Sequence, residues 1–117
     1  SKSARIQKNR VQINQLENQR VFLNESFKNE ILTARFNLRN DLNILEVQTA
    51  NLKLAQEVYD IARIKYQEGV GSNLELVQAD SDLIEAEFNY LSALYDGLIS
   101  KVNLEKALGL LKADLTN

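Results

Sequence analysis

The chain has 117 residues, and its 14 basic and 16 acidic side chains give a formal net charge of −2. This balance argues against a nucleic-acid-binding protein, which would need a basic face. Cysteine and histidine are both absent, so disulfides, thiolate metal sites and the commonest general base are excluded.

The first predicted element is a helix over residues 3–67, a stretch without Gly or Pro that is rich in helix-forming residues. Such a helix would be on the order of 100 Å long, which is typical of a coiled coil or helical array. One apolar seam follows it with Ile31, Ala34, Leu38, Leu45, Leu52, Ala55, Tyr59, Ala62 and Tyr66. A second apolar flank consists of Ile44, Val47, Leu54, Val58 and Ile61.

The second predicted element is a turn over residues 68–73, within the stretch YQEGVGSNLELVQA. Gly69 or Gly71 can take the positive φ angle that ends a helix. Ser72 or Asn73 can cap the following helix, and Glu75 lies favourably in its first turn. A connection this short makes the two helices antiparallel neighbours.

The third predicted element is a helix over residues 74–112, with Gly109 as a candidate stop or kink near its end. Two apolar series run along it in alternating steps of three and four, and they lie roughly 160° apart on the helix. The bulky seam is Leu74, Val77, Ser81, Ile84, Phe88, Leu91, Tyr95, Leu98 and Val102. The small-residue seam is Leu76, Ala79, Leu83, Ala86, Tyr90, Ala93, Gly97, Ser100, Leu104, Ala107 and Leu111.

The predicted fold is all-α, a long antiparallel αα-hairpin of coiled-coil type with one long and one shorter helix. A helix with two nearly opposite seams needs partners on both sides. Such helices form a curved wall that closes on itself, or alternatively pair as a dimer into a four-helix bundle or extended coiled coil. The seam pattern alone leaves these alternatives open.

An enzyme is the least supported class, because no nucleophile with its base, phosphate-binding loop or metal-ligand spacing is present. The acids Asp80, Asp82, Glu85 and Glu87 are interpreted as a solvated face, since nothing near them offers an apolar pocket that would shift their pKa values. We therefore predict no catalytic site, no metal and no cofactor. No apolar run approaches the ~18 residues of a membrane-spanning helix.

The stretch YQEGVGSNLELVQADSDLIEAEFNYLSALYDGLISKVNLEKALGLL resembles the end of the second structural repeat of the TolC-like outer-membrane efflux duct family. The shared pattern is a Tyr three residues before a Gly, an aliphatic–acid–aliphatic–aliphatic run leading to Ala79, the segment NYL and a closing ALG. The upstream segment SARIQKNRVQINQL also fits the family's long repeat helix. The resemblance covers essentially the whole chain and favours the wall over the bundle.

The resemblance implies that the chain is the periplasmic hairpin of an outer-membrane protein of a Gram-negative bacterium. In that family, three chains close an α-helical barrel beneath a β-barrel, and the strands of the latter are not in this sequence. The implied function is multidrug or metal efflux, or type I secretion, together with a periplasmic adaptor and an inner-membrane pump. The isolated piece is expected to self-associate. The alternative function is a free-standing dimeric coiled-coil scaffold or spacer.

The resemblance also implies roles for single residues at the turn. Gly69, Val70 and Ser72 would form the tip that docks the adaptor. Tyr66, Glu75 and Gln78 would belong to the gate, with Glu75 contributing to a ring of acids that faces the lumen. Gln78 stands where a second acid is expected, and Gly71 stands where an arginine ties the closed gate in the family.

Each of these positions also has a purely structural interpretation. Gly69 and Gly71 can be turn residues only, Tyr66 can be ordinary packing, and Glu75 can be a favourable first-turn acid. The small positions of the seam are structural under every interpretation, because they let a neighbouring helix approach. They are Ala79, Ala86, Ala93 and Ala107.

Overall fold

The computed structural model describes residues 1–116, which form two helices joined by a short turn. Helix α1 spans Lys2–Gln67 and helix α2 spans Asn73–Thr116. No strand occurs within these residues. The predicted fold class, an all-α antiparallel helical hairpin, is confirmed.

The chain divides into two compact units, both made from segments of α1 and α2. One unit contains residues 36–102, and the other contains residues 1–35 together with the residues from 103 onward. In the first of these, the Ser100 hydroxyl of α2 donates a hydrogen bond to the Asp41 carboxyl of α1. Near the turn, the Lys65 ammonium group lies 3.5 Å from the Glu75 carboxylate. Contacts between 41 and 100 and between 65 and 75 fix the antiparallel direction.

The small-residue seam is the face of α2 that packs against α1. Ala93 is only 4% exposed, and the other small positions are similarly covered. The larger members of the seam are buried or half-buried between them. Small side chains at every seventh position bring the two backbones close together, and the larger residues then fill the space on either side. The buried members of the seam are Ala79, Leu83, Ala86, Ala93, Gly97, Ser100 and Ala107.

Helix α1 supplies the complementary face through positions that also alternate in steps of three and four. The face agrees with the seam predicted for this helix, except that Tyr66 remains 47% exposed at its end. Two half-buried polar residues, Asp41 and Gln48, occupy seam positions that the apolar pattern skipped. The buried or half-buried positions of this face are Phe27, Ile31, Ala34, Leu38, Asp41, Leu45, Gln48, Leu52, Ala55, Tyr59 and Ala62.

The other unit has a smaller buried face. Its buried apolar residues are Ile31, Ala34 and Ala107. Every residue from 1 to 23 is exposed, including Phe22 at 72%. The Asn24 side-chain oxygen is buried without a hydrogen-bond partner. Intramolecular packing on α1 therefore begins at about Asn24.

Helix α2 does not end at Gly109, the candidate stop in the sequence, but continues to Thr116. A glycine in a helix interior costs about 1 kcal/mol relative to alanine. Leu111 and Asp114 are half-buried beyond it, and this packing outweighs the local preference of the glycine.

We predict that Ala93→Leu destabilises the hairpin, because a larger side chain cannot enter the closest approach of the two helices. Overpacking of this kind costs about 1–3 kcal/mol. The midpoint of thermal or urea unfolding, followed by circular dichroism, measures the change. Ser92→Leu is the matched control, since Ser92 is exposed and one residue away. Equal midpoints for the two variants would contradict the close approach at Ala93.

Candidate functional site

The end of α1 forms a Schellman motif, the double hydrogen-bond pattern that commonly ends helices. The Gly69 N–H donates to the Tyr66 carbonyl at 3.1 Å, and the Val70 N–H donates to the Lys65 carbonyl at 3.0 Å. Gly69 has a φ of 78°, a left-handed conformation that glycine adopts without the penalty of a side chain. This conformation explains why a glycine follows the long helical run in the sequence.

Gly71 is required for a different reason, the closeness of its backbone to α1. A Cβ atom at this position would lie 2.8 Å from the Lys65 Cβ and 3.1 Å from the Tyr66 nitrogen. The Gly71 N–H donates a second hydrogen bond to the Lys65 carbonyl at 3.0 Å. The chain thus folds back tightly against the last turn of α1, and it has no room there for a side chain.

The start of α2 is capped by Ser72. Its hydroxyl accepts a hydrogen bond from the Glu75 N–H at 3.1 Å, and its carbonyl accepts one from the Leu76 N–H at 3.2 Å. This is the side-chain cap preferred at helix N-termini. Ser72, assigned to the adaptor-binding tip in the sequence analysis, therefore has its hydroxyl engaged within the chain.

The Glu75 carboxylate pairs across the turn with Lys65, at 3.5 Å, and both side chains are 48% exposed. An ion pair this exposed contributes about 0–1 kcal/mol to stability. Sequence reasoning did not single out Lys65, although it lies in the last turn of α1, where basic residues are favourable. The Gln78 amide donates to the Asp82 carboxylate at 2.9 Å.

The turn also presents exposed apolar side chains. Val70 is 79% exposed and Leu74 is 77% exposed. In many Schellman motifs, the residue at the position of Val70 makes an apolar contact with the helix it follows. Val70 instead projects into solvent, beside the open space next to Gly69. The tip thus combines a rigid backbone with apolar groups that nothing in the chain covers.

The bulky seam of α2 lies on the exposed side of the hairpin. Phe88 is 70% exposed, and the remaining apolar members are between one half and four fifths exposed. The second flank of α1, from Ile44 to Ile61, is exposed as well. Within the unit of residues 36–102, the helices therefore bury one face against each other and leave a second apolar face on each helix without a partner.

No group of three or more acidic side chains in residues 1–116 is arranged to hold a metal ion. The same residues include no helix whose length and hydropathy would let it cross a membrane. What remains as a candidate site is the turn between the helices and the exposed seams beside it.

A family model described as outer membrane efflux protein covers residues 3–110. No curated protein and no solved structure is significantly similar to the chain.

We predict that alanine destabilises the hairpin at two of the chain's four glycines and stabilises it at a third. Gly69→Ala and Gly71→Ala each destabilise the hairpin, the first by about 1–2 kcal/mol through its left-handed backbone and the second through the contact with Lys65. Gly109→Ala is the matched control. It lies in α2 with open space around it, so alanine should stabilise the chain by up to about 1 kcal/mol. Unfolding midpoints measure all three, and a stabilised Gly69→Ala variant would contradict the turn geometry.

We further predict that the isolated chain self-associates through the bulky seam, because burying exposed apolar surface is favourable. Sedimentation velocity at micromolar concentration measures the assembly. Phe88→Glu should shift the distribution toward monomer while the helix content is retained. Asn89→Glu adds the same charge at an exposed polar neighbour and should leave assembly intact. A strictly monomeric, fully helical wild-type chain would contradict the need for partners on both faces.

Proposed function

The chain belongs to the outer membrane efflux protein family, and on that premise we propose that it forms the wall and periplasmic tip of a trimeric export tunnel. The family's role is efflux or export at the outer membrane. In this proposal, the tunnel wall encloses a water-filled path, and the chain performs no chemistry on the substrate. Energy for transport comes from an inner-membrane pump, and the cargo is a drug, a metal ion or a secreted protein.

The observation that carries the proposal is the pair of apolar faces on each helix. The small-residue seam is used within the hairpin, while the bulky seam is exposed from Leu74 to Val102. A hairpin with both faces apolar buries its exposed apolar surface when further helices pack beside it. In a closed wall of helices from several hairpins, every helix has such neighbours on both sides. The wall also separates an aqueous interior from the periplasm.

The turn is the part of the chain suited to dock an adaptor. Gly69 lets a partner backbone approach. Val70 offers an apolar side chain that is exposed and is not needed for packing within the hairpin. Because Ser72 already caps α2, its hydroxyl contributes to docking mainly by holding the loop in shape. The Schellman bonds keep these groups in place before the partner arrives, which lowers the ordering cost of binding.

The gate assignment rests on Tyr66, Glu75 and Gln78 near the same turn. Three copies of Glu75 would make a ring of acids at the entrance, and close carboxylates repel each other and attract cations. The Lys65 partner of Glu75 would offset this charge in each chain. We therefore infer that the ring is strongly negative only when the Lys65 ammonium group swings away.

The alternative is a free-standing dimer in which two hairpins pair through their bulky seams as a scaffold. The continuous bulky seam from Leu74 to Val102 supports such a dimer about as well as it supports a closed wall of helices. The tunnel wall and the scaffold differ in the role of the turn. In a tunnel the exposed Val70 binds an adaptor, whereas in a scaffold it binds nothing.

The experiment tests the turn in the full-length protein with its adaptor. Val70→Asp should weaken adaptor binding about tenfold or more, because a buried valine is worth about 1.5 kcal/mol or more and each 1.4 kcal/mol is a factor of ten. Gly69→Leu should also abolish docking, because its side chain fills the approach and strains the left-handed backbone of the turn. Site-specific crosslinking to the adaptor measures both effects, and trimer assembly should be retained.

Val70→Ile is the matched control, since it keeps an apolar tip of similar shape and should dock normally. Unchanged crosslinking in Val70→Asp would remove the tip assignment. Loss of trimer assembly in the same variant would instead place Val70 in the wall between subunits.

A further inference from the structure

The packed face of the unit of residues 36–102 contains one polar pair that the proposed function does not use. Ser100 is 7% exposed, and its hydroxyl donates a hydrogen bond to the half-buried Asp41 carboxyl on the facing helix. Ser100 is also the one buried polar residue within the part of the chain that the structure describes. Both residues occupy seam positions, where the surrounding members are mostly apolar.

The pair gives the register of the whole packed face. Because the helices are antiparallel, each step of seven residues along α1 matches a step of seven in the opposite direction along α2. Starting from Asp41 and Ser100, the facing positions toward the turn are Gln48 with Ala93, Ala55 with Ala86, and Ala62 with Ala79. All six residues are buried or half-buried, as this register requires.

The alanine positions do not specify this register by themselves. A displacement of one heptad, about 10 Å along the axis, places Ala79 opposite Ala55 in place of Ala86. The closest approach between the helices is then again made by two alanines. The apolar seam is therefore nearly degenerate at heptad spacing.

The larger residues of the seam also tolerate that displacement. It brings Leu83 opposite Leu52 in place of Tyr59, and Leu76 opposite Tyr59 in place of Tyr66, so that each of these leucines again meets a large side chain. The packing energy of the apolar layers thus separates the two registers only weakly.

The polar pair separates them more strongly than the apolar layers do. The turn acts in the same direction, because a displacement of one heptad breaks the hydrogen bonds from Val70 and Gly71 to the Lys65 carbonyl. In the displaced register, Asp41 faces Ala93, and its carboxyl loses the Ser100 hydroxyl. A hydrogen bond to a charged group is worth about 1.5–3 kcal/mol, and a buried group left without its partner is costly. A single polar residue in an apolar seam is known to fix register in coiled coils at some cost in stability.

We propose that Asp41 and Ser100 form a register lock, a hydrogen bond that selects one of several similar alignments of α2 on α1. The turn restrains the alignment at one end, and the lock acts 27 residues further along α2 from its first residue, Asn73, roughly 40 Å away. Together they hold both ends of the packed face in one register. Asp41 and Ser100 act as positioning residues, and this role does not depend on the proposed export function.

The chain contains no cysteine, so pairs of introduced cysteines can report the register. Ala55→Cys with Ala86→Cys reports the observed alignment, and Ala55→Cys with Ala79→Cys reports the displaced one. Crosslinking is carried out on the whole chain in a glutathione buffer, so that thiol exchange follows the equilibrium between alignments. In the otherwise unchanged chain, the first pair should dominate.

Adding Asp41→Ala should raise the ratio of displaced to observed crosslinking about tenfold, the factor expected for losing one charge-assisted hydrogen bond. Ser100→Ala should raise it in the same direction. Asp41→Asn should raise the ratio less than Asp41→Ala does, because its amide oxygen still accepts the Ser100 hydrogen bond but without the charge. A role in stability alone would lower the unfolding midpoint and leave the ratio unchanged.

Asp80→Ala and Ser81→Ala are the matched controls. Both residues are exposed on α2, and the two substitutions remove the same carboxylate and hydroxyl groups. A ratio in Asp41→Ala and Ser100→Ala no larger than in these controls would overturn the proposal. If Asp41→Ala loses its helix content, the gentler Ser100→Ala decides the outcome.

Discussion

The close approach of α1 and α2 along their small residues is the constraint on which the rest of the hairpin depends. Alanines at heptad spacing on both helices let the backbones come near each other, and the leucines and tyrosines between them close the gaps. Since these small positions make the contact within the chain, the bulky residues of α2 are directed outward. The exposed apolar face is thus a consequence of which seam the hairpin uses for itself.

The turn follows from the same constraint. Two helices that lie this close need a connection that reverses direction within a few residues. Gly69 supplies the left-handed backbone that ends α1, and Gly71 supplies the backbone contact with the last turn of that helix. Ser72 then begins α2 by capping it. Each of these residues has a distinct physical task, and only their combination leaves Val70 exposed at the tip.

Much of this architecture could be predicted from the sequence, because helix periodicity and glycine placement are local signals. The two seams of α2 were visible as separate series, and the short turn required antiparallel helices. The sequence did not indicate which seam the hairpin would bury, since that choice depends on the distance between two helices. Asp41 and Gln48 were missed because an apolar pattern passes over polar residues. Counting heptads from Leu38 and Leu45 would have placed both in the packed face. Lys65 escaped notice because its partner Glu75 is ten residues away, on the other side of the turn.

The Lys65 carbonyl has a mechanical consequence. This one oxygen accepts hydrogen bonds from the N–H groups of both Val70 and Gly71, so two of the bonds that turn the chain back share one acceptor. A small rotation of that peptide unit weakens both bonds together, whereas separate acceptors would yield one after the other. The positions of Val70 and Gly71 are therefore coupled through the one acceptor that they share.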